Sequence, residues 1–230
     1  MRVVSTYFDR ASGRLGQMVW MTNKSGLCAR IYVTPRNPKS IKQRGVRASF
    51  KDHTLAWSGT LTQAMRDGWA AYAATLDFVS KLGTHYTISG LDAYVMCNGA
   101  RLVAGFTRVD TAPTLGGFDT FTSPTLAADA SDKTITVTYN AADAWCGEVG
   151  GGLVVRVATL AQRVGVTFFE GPFFYKGKAV GAGSPPAGPL VLTMPVGAIA
   201  VGYKYFLSLR SVRADGRCSA EGIFQCVAVA

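Results

Sequence analysis

Acidic residues are absent from one long interval. No Asp or Glu lies between Asp9 and Asp52, whereas ten bases do: Arg10, Arg14, Lys24, Arg30, Arg36, Lys39, Lys42, Arg44, Arg47 and Lys51. A one-signed strip of this length seeks an acidic surface, either nucleic acid or a negatively charged protein. No groove-reading motif accompanies it, so nucleic-acid contact is the weaker of the two readings. Histidine is almost missing, with His53 and His85 the only two, and the five cysteines (Cys28, Cys97, Cys146, Cys218, Cys226) include no CxxC. Zinc needs clustered ligands at short spacing, so neither a metal nor a cofactor is expected. Long apolar runs are missing too. The longest uncharged stretch, 179–203, carries four prolines and five glycines, which rules it out as a membrane-spanning helix and leaves no membrane partner expected. Asp9, Arg10 and Arg14 interrupt the apolar residues of 1–20, so the expectation is synthesis in a cytoplasm without an export leader.

What is present is ample for folding. The chain has 230 residues, 48% of them hydrophobic, enough for one large domain or two small ones without covalent staples. The net charge of +10 is lopsided. Residues 1–110 hold 15 Lys/Arg against 6 Asp/Glu, net +9, and residues 111–230 hold 9 against 8, net +1. The cysteines read as unpaired, mostly buried thiols acting as small hydrophobes. Cys218 and Cys226 flank a hairpin segment, and whether they pair stays open.

The hydrophobic period changes along the chain. Residues 18–21 and 27–33 are β-prone runs separated by Asn-Lys-Ser-Gly, which predicts a hairpin within an extended basic β-arm over 1–36. Prolines at 35 and 38 end the arm. Ser40 and Gln43 have capping-box spacing, and Val46, Phe50 and Trp57 follow at helical intervals, predicting a helix near 40–57. Thr60 and Gln63 repeat the box ahead of a stripe of Leu61, Met65, Trp69, Tyr72, Leu76 and Val79. Ser89 caps a third predicted helix to about Ala104, with Leu91, Tyr94, Val95, Asn98 and Leu102 on one face and Gly105 as the stop. These helices form a module over 37–110, followed by a linker at 111–124. From 125 the period is two, with seven β-prone runs at 134–140, 153–159, 166–169, 173–176, 190–194, 203–212 and 222–229. Asp215-Gly216 marks a turn between the last two. The predicted class is α+β: a β-arm and helical module, then an antiparallel β-sandwich over 125–230.

Two resemblances accompany this reading. The stretch Gly202-Tyr-Lys-Tyr205, then 207–217 with its Asp-Gly turn, and Ser219 resembles the last strands of a fibronectin type III domain. That resemblance makes Tyr205 the corner tyrosine. The chain departs from the family in lacking a clear Trp on the second strand, where Tyr139 is the candidate substitute, and an immunoglobulin-like variant fits as well. The string Asn37-Pro-Lys-Ser-Ile-Lys-Gln43, Arg47, Phe50, Trp57, Leu61-Thr62, Arg66, Trp69, followed by Gly90-Leu-Asp-Ala-Tyr-Val-Met-Cys-Asn98, resembles a module of phage and prophage-type virion proteins. It implies a structural protein assembled in the bacterial host cytoplasm and located in the virion. Capsid decoration or cement is the leading role; a head-tail junction or tail component is the alternative. The implied partners are the major capsid protein or neighbouring copies, in a homo-oligomer or symmetric array.

No acid, base and nucleophile fall into a catalytic grouping, so the chain is read as a non-enzyme. Trp57 and Trp69 are expected in the core, Arg47 and Arg66 in structural use, Asp129, Asp132 and Asp143 in turns, and glycine-rich 147–152 in a flexible loop. Residues 168–175 hold five aromatics, more than one sheet face buries, which marks a contact surface. The candidate partner-binding residues are Arg10, Arg14, Trp20, Lys24, Arg30, Arg36, Lys39, Lys42, Phe173, Phe174 and Tyr175. A glycan-binding reading would use Trp145 or Phe173-Phe174-Tyr175.

Overall fold

The computed structural model describes residues 11–23, 26–34, 40–80, 82–158, 160–184, 188–195 and 199–230, with only the backbone of Lys42. The fold is mixed α+β and divides into two compact units. One comprises Met1–Val95 with Thr114–Gly117, and the other Met96–Pro113 with Phe118–Ala230.

The first unit opens with an antiparallel meander, β1 (Gly13–Leu15), β2 (Met18–Asn23) and β3 (Gly26–Ile31). The expected hairpin is its second half, with Met18 opposite Ile31 and Asn23 opposite Gly26. A third strand, not anticipated, joins it through Gly16 at φ 59°. Only Leu27 and Ala29 of the meander are buried.

Helix α1 (Ile41–Gly59) starts at Ser40, whose Oγ accepts the Gln43 N–H at 3.3 Å, satisfying one of the free amides of a first turn. Helix α2 (Gln63–Ala74) is capped by Thr62 through the Met65 N–H, and not by Thr60. Thr60 instead closes α1, its N–H donating to Ala56 O. The α2 stripe also ends early. Leu76 is buried, but Val79 sits 57% exposed in β4 (Phe78–Val79), which pairs with β5 (His85–Tyr86). Helix α3 (Gly90–Val103) has a reciprocal cap between Ser89 and Asp92 and ends at Gly105, φ 72°. Leu102, placed on the buried face by its spacing, is exposed; buried Arg101 takes the inward position beside it.

The core of this unit is aromatic. Tyr94, wholly buried, meets Trp69 edge-on at 5.4 Å, Trp57 at 5.6 Å and His53 edge-on at 6.0 Å. Trp69 in turn meets Tyr72 edge-on at 5.7 Å. Such pairs align the electron-rich face of one ring with the positive edge of another. Gly90 allows α2 and α3 to approach: a Cβ there would lie 2.8 Å from the Ala70 nitrogen.

The second unit carries seven strands: β6 (Thr125–Asp129), β7 (Thr134–Thr138), β8 (Gly152–Ala158), β9 (Phe173–Val180), β10 (Leu190–Thr193), β11 (Lys204–Val212) and β12 (Gly222–Val229). Six correspond to expected runs. The run at 166–169 is a loop, and Thr125–Asp129 is a strand the sequence reading did not anticipate. The order is β10-β7-β6-β12-β11-β8-β9, antiparallel except for a two-pair parallel join of β6 with β12 at Ala128↔Ala228 and Asp129↔Val229. The terminal strands β9 and β10 touch, since a Cβ on Gly177 would meet Leu192 at 2.6 Å, so the sheet nearly closes into a barrel. Its interior holds Ile135, Val137, Leu153, Val155, Leu207 and Leu209, all fully buried, with Trp145 against Tyr139 at 5.0 Å.

Within glycine-rich 147–152, Gly147 is open and Val149 exposed, but Gly151 is closely packed, a Cβ there lying 2.7 Å from the Trp145 carbonyl oxygen, and Gly152 opens β8. Among the described residues no helix is long and apolar enough to cross a membrane.

Two glycines of α3 separate packing from propensity. Gly90→Ala, blocked by the backbone of α2, is expected to destabilise the protein by about 1–3 kcal/mol. Gly99→Ala, with nothing within 4 Å of the added carbon, is expected to stabilise it by up to about 1 kcal/mol. Urea denaturation followed by tryptophan fluorescence measures both.

Candidate docking surface

The β1–β3 meander sorts its side chains between two faces. Cross-strand partners share a face, and the register places Arg14, Val19 and Arg30 in one row. Gly13, Trp20 and Ala29 occupy the next row, on the opposite face. The sheet thus brings Arg14 and Arg30 together and separates both from Trp20. Arg14 is exposed, its guanidinium 4.0 Å from the centre of the Tyr32 ring and its Nε donating to Gly16 O at 2.9 Å. Arg10, Lys24, Arg36, Lys39 and the side chain of Lys42 lie outside the described residues.

Helix α1 carries a second group of exposed bases, Arg44, Arg47 and Lys51. Val46, Phe50, His53 and Trp57 share one stripe at spacings of four, three and four. The second half is covered: His53 is 4% exposed, and Trp57 packs on Tyr94. The first half is bare, with Val46 71% and Phe50 58% exposed. The periodicity therefore predicted the helix correctly but not its burial, because the core reaches only the last two turns. Arg44, Arg47 and Lys51 are exposed on the same half of the helix.

The aromatic cluster at 168–175 divides in the same way. Phe169 stacks on buried Phe206 at 5.5 Å and meets Phe173 edge-on at 5.5 Å, so this part covers the outside of β11. Phe168, Phe174 and Tyr175 remain 70%, 41% and 45% exposed. Beside them runs a groove of about 410 Å³, lined chiefly by Leu126, Phe168, Phe169, Phe206, Ile223 and Phe224. Only its aromatic wall at 168–169 was visible in composition. The opposite wall comes from strands far away in sequence. Trp145 is wholly buried and so has no face to offer a sugar.

Ionisable groups elsewhere are engaged structurally. Arg213 donates to Asp119 Oδ1 at 2.9 Å and to both carboxylate oxygens of Glu148, and the Ser211 hydroxyl donates to Asp119 Oδ2 at 2.5 Å. Arg101 is 3% exposed and donates to the carbonyls of Thr107, Gly150 and Arg213. Arg66 donates twice to Leu61 O. Asp129 accepts from the Ser131 and Asp132 amides, as a turn residue does, whereas Asp143 accepts from the amide and hydroxyl of Thr122, a long-range tie between two loops. Asp77 and His85 form a 2.7 Å pair, both 66% exposed. Among the described residues no group of three or more His, Cys, Asp or Glu side chains could hold a metal ion.

No protein-family model matches the chain, and no curated protein matches it.

The Glu148 carboxyl is held below its ordinary 4.5, chiefly by the Arg213 hydrogen bond, which outweighs burial. Its charged form therefore stabilises the fold at neutral pH, and that contribution disappears as pH falls from about 4.5 through the lowered value. Glu148→Gln is expected to lower the melting temperature at pH 7, with the gap from wild type closing below pH 4.5. Calorimetric melts from pH 3 to 7 check this, and a gap constant across that range would contradict it.

Proposed function

We propose that the chain is a non-catalytic virion structural protein that binds through subunit-subunit contacts, most readily as a decoration or cement protein on the outer shell. The observation that carries this reading is the bare first half of α1. An apolar stripe that is core in its last two turns continues outward with Val46 and Phe50 uncovered, amid exposed Arg44, Arg47 and Lys51. An uncovered continuation of a core stripe is suited to a neighbouring subunit. Its basic surroundings, and the Arg14–Arg30 row on the meander, select an acidic one. The resemblance of 37–110 to the phage-type module supplies the kind of particle.

The C-terminal unit is read as a fibronectin type III-like or immunoglobulin-like sandwich. Two features support this. Half-sheets β10-β7-β6 and β12-β11-β8-β9 are hydrogen-bonded to each other through the short parallel join of β6 with β12 and enclose one core. At the start of β11 the Tyr205 hydroxyl accepts the Ala200 N–H at 2.9 Å, five residues upstream, as in a tyrosine corner. A head-tail junction or tail position is the alternative within the same class.

The test uses particles. The double variant Val46→Asp/Phe50→Asp, with unchanged circular dichroism, is expected to reduce incorporation at least tenfold, read by immunoblot of purified particles. A C-terminal label on the wild-type chain is expected over the shell in negative stain. Wild-type incorporation of the variant overturns the α1 contact, and a label confined to the neck or tail overturns decoration.

A further inference from the structure

The spacing of the cysteines directs attention to Cys218 and Cys226, yet Cys218 lies against Cys97, 121 residues away, with their sulfurs 3.7 Å apart. Cys226 sits on β12 opposite Tyr205. Cys97 and Cys218 are both wholly buried, and both belong to the second unit. We propose that Cys97 and Cys218 are a latent crosslink: reduced in the compartment where the chain is made, they close to an intrachain disulfide on exposure to peroxide. The inference does not depend on the docking role of α1.

The backbone on each side is held in place. Cys218 bridges Val212, and its carbonyl accepts the Asp119 N–H at 3.1 Å. On α3, the Asn98 amide makes two hydrogen bonds to the backbone of Val109, at 2.9 and 2.8 Å, and Arg101 binds three carbonyls of the same unit. Side-chain rotation alone then has to bring the sulfurs from 3.7 Å to the ~2.05 Å of an S–S bond.

The surroundings also distinguish this pair from the other buried thiols. Burial pushes Cys146 and Cys226 up to about 11, keeping them protonated near neutrality. The hydrogen bond from Cys97 holds the Cys218 thiol below its ordinary value; Arg210 acts in the same direction, against desolvation and Asp119. Thiolate character is what makes a cysteine react with an oxidant.

The chemistry balances with one peroxide. The Cys218 thiolate attacks one oxygen of hydrogen peroxide, the O–O bond breaks, and hydroxide leaves as water after taking a proton, giving a sulfenic acid. The Cys97 sulfur then displaces that hydroxyl from the Cys218 sulfur. The S–S bond forms, the S–O bond breaks, and a second water departs with the Cys97 proton. Two thiols are oxidised and one peroxide is reduced to two waters. Burial of both sulfurs restricts the reaction to an oxidant this small.

The test is made on full-length protein carrying Cys28→Ser, which removes the half-buried thiol that could couple copies. The folded protein is treated with hydrogen peroxide, alkylated, and digested without reductant for mass spectrometry. The expected result is a peptide joining Cys97 to Cys218, with Cys146 and Cys226 alkylated. A rise in melting temperature of roughly 5 °C or more should accompany it, reversed by dithiothreitol and absent from Cys97→Ser. The proposal is overturned by a different pairing, by sulfinic acid at Cys218 with Cys97 still alkylated, by no linkage, or by linkage without the rise. Because the peptide map is made on a chain that keeps both thiols, a folding defect in Cys97→Ser leaves it decisive.

Discussion

Buried charge has to be compensated where it stands, and the second unit is organised around that requirement. Arg213 is 12% exposed and Asp119 5% in their side chains, and neither would be tolerated there without the other. Their contact, with Glu148 on the far side of the guanidinium, ties the segment before β6, the turn before β8 and the loop after β11 to one point. Arg101 fills the same region with a cation satisfied by backbone carbonyls. Asp119, Glu148, Arg101 and Arg213 thereby hold the loops of this unit together.

The first unit spends its chemistry differently. Its core is a small set of rings around Tyr94, and little charge enters it. Among its described residues the exposed bases include Arg14 and Arg30 of the meander and Arg44, Arg47 and Lys51 on the first half of α1. A surface that joins uncovered aliphatic and aromatic groups to one sign of charge favours a partner with the opposite sign and an apolar centre. The charge asymmetry between the halves of the chain, +9 against +1, is in keeping with the docking role proposed for the first unit.

Much of the helical module was legible because its signals are local. Ser40 as the cap of α1, Ser89 as the cap of α3, the Gly105 stop and the Trp69–Tyr72 core face depend on residues within a turn or two. The cap of α2 was misplaced by two residues because Thr60 and Thr62 both have an acceptor oxygen, and only Thr62 adopts the extended backbone from which it reaches the Met65 amide. The strand at 125–129 was missed because Ala127 and Ala128 carry little β preference, and pairing with both β7 and β12 makes up for it. The run at 166–169 is as β-prone as any, but its residues cross the outer face of β11, where Val166 O accepts from Lys204 and Phe169 covers Phe206.

Composition and spacing alone determined that the chain is α+β, that a helical module precedes the run of C-terminal strands and that its bases crowd the first half. All of these follow from neighbours along the chain or from simple counts. Tertiary structure alone decided which half of α1 is covered, which of the five clustered aromatics face solvent, that Trp145 is interior, and that Cys218 lies beside Cys97. Each of those depends on residues tens to more than a hundred positions away, and a periodic pattern shows that a face is apolar without showing how far the opposing surface extends.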